Sequence, residues 1–96
     1  MSRETLETLV KILLPQEIFE YFDVTHIFQD ATTIRLHLEE LNLHPQEYQT
    51  DKLISKGFLP ESTIQDFPVR GKAFFLIVKR RKWLNETTGE IVTRNL

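Results

Sequence analysis

The sequence predicts an α+β domain in which two N-terminal helices pack on one face of an antiparallel sheet of four to five strands. The first 22 residues carry apolar side chains at three- and four-residue spacing, which is typical of amphipathic helices. From residue 23 the apolar period changes to two, which is typical of half-buried strands. The 96 residues have the length of a single domain, so both patterns belong to one fold.

Two helices are predicted, one on each side of Pro15. The apolar face of the first helix is formed by Leu6, Leu9, Val10 and Leu13. Proline suits the first turn of the second helix, where its missing N–H costs nothing, and Glu17 behind it complements the helix dipole. The apolar side chains of the second helix are Ile18, Phe19 and Phe22.

Residues 23–40 predict a β-hairpin with its turn at residues 30–32. In the first strand, Val24, His26 and Phe28 fall on one side, and Thr25 and Ile27 fall on the other. Because His26 shares the apolar side, it is predicted to be a buried imidazole. The second strand alternates cleanly, and its apolar positions are Ile34, Leu36 and Leu38.

Residues 41–62 have no clear period and are predicted to be irregular. Two further strands are predicted at residues 63–67 and 73–83, joined by a glycine-containing turn at 68–72. A second turn at 86–90 returns the chain as a short final strand, so residues 63–94 form a region of hairpins.

From Ala73 to Val78 the predicted strand has apolar residues at both odd and even positions, so it is predicted to be covered on both faces. Phe75 and Ile77 then need cover from residues 42–64 or from a partner. The predicted core consists of Leu6, Leu9, Leu13, Ile18, Phe22, Phe28, Ile34, Leu36, Leu38, Phe74, Leu76 and Val78.

Composition excludes several kinds of site. The chain has no cysteine, which removes disulfides, thiolate nucleophiles and cysteine-containing zinc modules. The three histidines match no zinc motif, so we predict neither a metal nor a cofactor. The longest apolar stretch is far shorter than the roughly 20 residues of a membrane span, and the N-terminus is unlike a secretory signal. We therefore expect a soluble cytoplasmic protein with no membrane partner.

Charge is distributed unevenly along the chain. Residues 1–69 carry five Lys/Arg and twelve Asp/Glu, whereas residues 70–96 carry seven and two. The densest cluster is Lys79, Arg80, Arg81 and Lys82, followed by Trp83. Surface ion pairs worth about 0.2–1 kcal/mol do not explain four adjacent cations, whereas contact with a phosphate backbone does. This pattern favours a polyanionic partner.

The residues predicted to bind DNA are therefore the cationic cluster with Trp83, and then Arg70 and Lys72. The last two lie at the other end of the same strand, roughly 25 Å from Arg81. Two alternatives stay open. The cluster can instead solvate a strand end and balance acidic residues elsewhere, and Trp83 can close the small core rather than stack on a base.

No enzyme is predicted. The carboxylates available for catalysis with metal ions are Asp23, Asp30 and Asp66. Each lies beside a predicted turn or strand end, where aspartate is common for backbone reasons. The chain also lacks the bulk that forms a deep pocket.

Three segments of the C-terminal third carry a family pattern: residues 63–72 (TIQDFPVRGK), 79–84 (KRRKWL) and 86–92 (ETTGEIV). The pattern resembles the N-terminal region of a bacterial insertion-sequence transposase, of the type found as a short reading frame upstream of the catalytic part. It is more distantly similar to a transposase class in which such strands follow a small zinc-binding segment. Over residues 1–62 the similarity is one of layout.

The resemblance implies a DNA-binding role that recognises the terminal inverted repeat, with strand transfer carried out by a separate DDE-type catalytic domain or subunit. Arg70, Lys79, Arg80, Arg81 and Lys82 match the basic positions of the family. The cysteine pairs of the distant class are missing, so zinc is not implied. The alternative is a protein-interaction or oligomerisation module of a transposase, including a homodimer, with no DNA contact of its own.

Overall fold

The computed structural model describes residues 3–95, except for the side chains of Arg3, Leu6, Glu7 and Leu9. This part of the chain contains two short helices, seven strands and a 3₁₀ turn. The helices are α1 (Arg3–Leu13) and α2 (Gln16–Tyr21), and the 3₁₀ turn is Gln46–Tyr48. The strands are β1 (Phe22–Gln29), β2 (Thr33–Glu40), β3 (Leu53–Phe58), β4 (Ser62–Val69), β5 (Lys72–Lys79), β6 (Arg81–Asn85) and β7 (Ile91–Val92).

The strands form two sheets rather than one. The larger sheet has the order β1-β2-β5-β4, with β2 and β5 parallel and the outer pairs antiparallel. The smaller sheet is antiparallel and has the order β3-β6-β7. About half of the chain is strand and less than a fifth is helix. The predicted α+β fold, with two helices on one antiparallel sheet of four to five strands, is therefore wrong.

The strand predicted over residues 73–83 is two strands, because the chain leaves the larger sheet at Arg80. The N–H of Arg81 donates to the side-chain Oε1 of Glu40 at 2.9 Å instead of to a neighbouring strand. The carbonyl of Arg80 accepts a bond of 2.8 Å from the N–H of Leu59. Consequently β5 ends in the larger sheet and β6 begins in the smaller one.

Residues 41–62, predicted to be irregular, contain the strand β3, which pairs with β6. The register shifts between Ser55 and Phe58, so Lys56 and Gly57 together face Lys82 in a β-bulge. Gly57 has a φ of +83°, a conformation that glycine adopts easily. The bulge interrupts the period-two alternation, which explains why this strand is not visible in the sequence pattern.

A second bulge, in β1, reverses the predicted orientation of two side chains. The register with β2 shifts between Val24 and His26, which makes Thr25 the extra residue. Val24 and Ile27 then pack against the core, whereas His26 is exposed and Phe28 is 54% exposed. Because a shift of one residue moves every following side chain to the other face, the predicted burial of His26 and Phe28 is wrong.

The main core lies between the helical segment and one face of the larger sheet. Its buried members are Val10, Leu14, Phe22, Ile34, Leu36, Leu38, Val69, Phe74 and Leu76. Six of these are predicted core residues. Of the other predictions, Ile18 and Val78 are half-buried, and Leu13 is 52% exposed because Val10 and Leu14 turn inward instead. Leu6 and Leu9 lie outside the described side chains.

The turns follow their local sequence signals. Asp30 Oδ1 accepts the N–H groups of Thr32 at 2.9 Å and of Thr33 at 2.8 Å, which closes the turn between β1 and β2. These N–H donors, with Thr32 contributing most, lower the pKa of Asp30 to about 2. The predicted return of a short final strand is confirmed, since β7 pairs with β6 after Gly89 at a φ of +79°.

We expect the Asp30 turn to make folding stability depend on pH. The pKa of this carboxyl is lower in the folded chain than in the unfolded chain, so its stabilising effect is present above about pH 4 and is lost as the pH falls towards 2. Asp30→Asn should therefore lower the Tm at pH 7 and match the wild type near pH 1.5, as measured by circular dichroism. Asp23→Asn, which changes an exposed carboxylate of β1, is the control. Equal Tm values for Asp30→Asn and the wild type at pH 7 would contradict this role.

Candidate functional site

The cationic cluster lies at the junction between the two sheets. Lys79 is the last residue of β5, Arg80 lies between the strands, and Arg81 and Lys82 begin β6. The structure therefore distributes four sequence neighbours over two sheets and the bend between them.

A buried carboxylate organises this junction. Glu40, at the end of β2, is 0% exposed. Its Oε2 accepts a bond of 3.0 Å from Arg94 Nε, and its Oε1 accepts the N–H of Arg81. Arg80 Nε lies 3.9 Å from the same Oε1. Arg81 Nε donates to the backbone carbonyl of Glu40 at 3.2 Å. Three arginines thus surround one glutamate.

The same arginines reach further into both sheets. Arg81 Nη1 donates to Ser55 Oγ at 2.7 Å, and its guanidinium lies 4.6 Å from the centroid of the Phe58 ring. Arg80 Nη2 donates to the carbonyl of Arg94. Arg94 is itself 5% exposed and stacks over Tyr21 at 4.4 Å. Arg80 and Arg81 therefore have intramolecular partners, and DNA contact by either side chain stays a prediction.

Trp83 belongs to a second, smaller core. It is 2% exposed, and its Nε1 donates to Asn42 Oδ1 at 2.9 Å. Val92, which faces Trp83 across the β6–β7 ladder, is also buried. The structure thus places the indole ring inside the protein, which corresponds to the core alternative for Trp83 rather than to stacking on a base.

Two lysines lie on the outer face of the smaller sheet. Ile54 faces Leu84 across the β3–β6 ladder, and alternation along the strands places Lys56 and Lys82 on this side. Leu84 also faces Ile91 of β7. We call these five residues the lysine face. Lys56 is exposed and Lys82 is half-buried, and none of the acidic side chains that the structure describes pairs with either one.

The remaining predicted cations lie elsewhere. Lys79 Nζ is 3.9 Å from Glu61 Oε1 and lies 5.8 Å from the centroid of the Phe58 ring. Arg70 is exposed in the turn before β5, and Lys72 Nζ lies 3.4 Å from Gln29 Oε1. The structure does not bring Arg70 and Lys72 to the lysine face, since both lie at the end of β5 that is remote from β6.

Three residues of this region are not predicted from the sequence: Glu40, Lys56 and Arg94. A signal for Glu40 was present, because the alternation of Ile34, Leu36 and Leu38 continues to position 40 and places its carboxylate on the buried side. A buried glutamate requires cationic partners. Lys56 has no such signal, since its strand is interrupted by the bulge at Gly57.

The other candidate sites do not assemble. Asp23 is at the start of β1, Asp30 is in the following turn, and Asp66 is on β4 at the opposite edge of the larger sheet. Asp66 Oδ1 instead accepts the N–H of Phe67 at 2.7 Å. Within the described residues no group of three histidine, aspartate or glutamate side chains is positioned to bind a metal ion.

The chain matches no protein-family model, no curated protein sequence and no solved structure. Among the described residues, neither helix has the length and apolar character needed to cross a membrane. The site must therefore be interpreted from its own chemistry.

We expect the Glu40 carboxylate to be essential for joining the two sheets. Removing one partner of a buried ion pair costs about 3–5 kcal/mol, so Glu40→Ala should lower the free energy of unfolding by that amount. Glu40→Gln should lose less, because the amide oxygen still accepts a hydrogen bond. Urea denaturation followed by the fluorescence of Trp83, the only tryptophan, measures both changes.

Glu39→Ala is the matched control, because the neighbouring side chain is half-buried and points to the other face of β2. Its effect should stay below about 1 kcal/mol. If Glu40→Ala and Glu39→Ala unfold at the same urea concentration, the buried carboxylate does not hold the junction.

Proposed function

We propose that the chain is a non-catalytic, DNA-binding module of a bacterial transposase and that it contacts DNA phosphates through Lys56 and Lys82. The observation that carries the proposal is the position of these lysines on adjacent strands, with no acidic partner among the described residues. The resemblance to the N-terminal region of insertion-sequence transposases supports a terminal inverted repeat as the DNA site. The same proposal places the chain in the cytoplasm, acting with a separate catalytic domain or subunit.

Two facing lysines are unfavourable unless an anion lies between or above them. Like charges directly opposite each other in a sheet are destabilising, by an amount comparable to the roughly 0.2–1 kcal/mol of a favourable pair. A phosphate group reverses the sign of this interaction, and each phosphate that is neutralised releases counterions from the DNA. The lysine face is therefore better matched to a polyanion than to water alone.

Among the residues of the predicted cationic cluster, Lys82 is the one best placed to contact DNA. Arg80 and Arg81 hold Glu40 and bridge the sheets, so replacing them changes folding as well as charge. Lys82 combines a position in the predicted cluster with a side chain that pairs with no acidic group in the described part of the chain. Lys56 joins it from β3, a strand outside the family pattern.

We expect Lys56→Ala combined with Lys82→Ala to weaken DNA binding strongly. Loss of two phosphate contacts should raise Kd by about tenfold or more at low salt and should reduce the slope of log K against log salt by about 1.8. Fluorescence anisotropy with a labelled duplex of the terminal repeat, measured between 50 and roughly 200 mM salt, gives both quantities.

The matched control is Lys11→Ala combined with Arg70→Ala. It removes the same charge from two exposed cationic residues, on α1 and in the turn before β5, that lie off the lysine face. The control should retain the wild-type slope. An equal loss in both double variants, or no loss in the first, would refute phosphate binding at this face.

A second candidate function is a protein-interaction or oligomerisation module without DNA contact. It is favoured by the exposure of Phe28 beside His26 and His37 on the larger sheet. If the chain self-associates and has no affinity for DNA, this second function is supported and the first is contradicted.

A further inference from the structure

The larger sheet has a face directed away from the helical segment. It consists of the odd-numbered positions of β2 and β5, from 33 to 39 and from 73 to 79, together with the residues of β1 and β4 that face them. The buried apolar residues at the even-numbered positions of these two strands, such as Leu36 and Phe74, belong to the core on the other side, whereas Ile77 on the open face is 8% exposed. We call this surface the open face.

The middle of the open face is aromatic and apolar. Phe28 and His26 are stacked with ring centroids 5.9 Å apart, and His37 meets both of them edge-on at 5.6 and 5.7 Å. Ile77 lies beside His37 in the next strand, and Phe75 continues the row above it. A shallow depression of about 380 Å³ is lined by His26, Phe28, His37 and Ile77 with their polar neighbours. Such a surface favours a partner that buries it.

The charges of the open face are separated to its two ends. Arg35 lies between Phe28 and Phe75 at one end. At the other end Glu39 faces Asp23 and Lys79, and Lys79 pairs with Glu61. Because carboxylates outnumber cations among these groups, the open face does not favour a polyanion. The arrangement instead provides one positive end, one negative end and an apolar centre.

We propose that the open face binds a second copy of this chain. A two-fold axis through the centre places Arg35 of each copy against the Glu39 end of the other and packs the aromatic centres together. Arg35 and Glu39 are about 13 Å apart along β2, too far to pair within one chain. The inference does not depend on DNA binding, since the lysine face lies on the other sheet.

The size of the open face predicts how strong the association is. Four strands about 4.8 Å apart and seven residues of about 3.3 Å each give a footprint of about 450 Å² per copy. The total of about 900 Å² is below that of standard stable interfaces, which places the dimer among weak, reversible ones. We expect a Kd in the range of about 10–500 µM.

The test uses mutual charge reversal. Arg35→Glu and Glu39→Arg should each dimerise at least about tenfold more weakly than the wild type, because each homodimer then opposes like charges. An equimolar mixture of the two variants should regain association, because each copy then offers the charge that the other lacks. Sedimentation velocity from roughly 10 µM to 1 mM protein, without DNA, measures all three samples. Arg70→Glu, an exposed site off the open face, is the control for charge alone.

A second variant tests the contribution of the apolar centre to the proposed interface. Phe28→Ala removes an exposed ring, so the fold should be retained while the dimer weakens. A chain that stays monomeric at 1 mM, or a dimer unaffected by Arg35→Glu and Phe28→Ala, overturns the proposal. Binding of a single-stranded oligonucleotide that Phe28→Ala abolishes, in a chain that stays monomeric, overturns it in favour of a base-stacking surface.

Discussion

The fold depends on one buried carboxylate. Glu40 ends a strand of the larger sheet, binds the N–H of Arg81 at the start of β6, and pairs with Arg94 near the chain end. Three distant parts of the sequence therefore meet at one side chain. A charge without solvent access is tolerated only when its hydrogen-bonding capacity is filled, and here both oxygens are occupied. The two sheets are held in register at the junction by polar contacts rather than by a continuous apolar core.

This constraint divides the basic residues into two groups. The arginines of the junction have planar guanidinium groups with several donors, and that of Arg81 donates to the backbone carbonyl of Glu40 and to Ser55 Oγ while it lies over the Phe58 ring. Lys56 and Lys82 carry compact, strongly hydrated charges and remain on the outer surface. The basic run of residues 79–82 therefore contains two arginines with intramolecular partners and also Lys82, which lies on the lysine face.

Two β-bulges determine which side chains lie on the open face and on the lysine face. The extra residue Thr25 turns His26 and Phe28 out of the core and creates the aromatic centre of the open face. The bulge at Gly57 sets Lys56 against Lys82. The two surfaces lie on different sheets, so self-association through the open face leaves the lysine face of each copy free. If the lysine face binds phosphate as proposed, a dimer would carry two such sites, and their joint binding would raise the apparent affinity for DNA.

The sequence alone determined the features that rest on local chemistry. The alternation of β2, the Asp30 turn and the glycine turn before β7 depend on residues within a few positions of one another. The parallel pairing of β2 with β5 and the division of the predicted strand at Arg80 depend on partners far away in the chain. The bulge at Thr25 depends on the register that β1 adopts against β2. Residue spacing and composition do not predict which strands become neighbours, because strand pairing depends on the burial of Glu40 and on the packing of the core as a whole. For this reason the sequence shows that Arg80 and Arg81 are charged but not that they contact Glu40, and the position of Lys56 follows only from the pairing of β3 with β6.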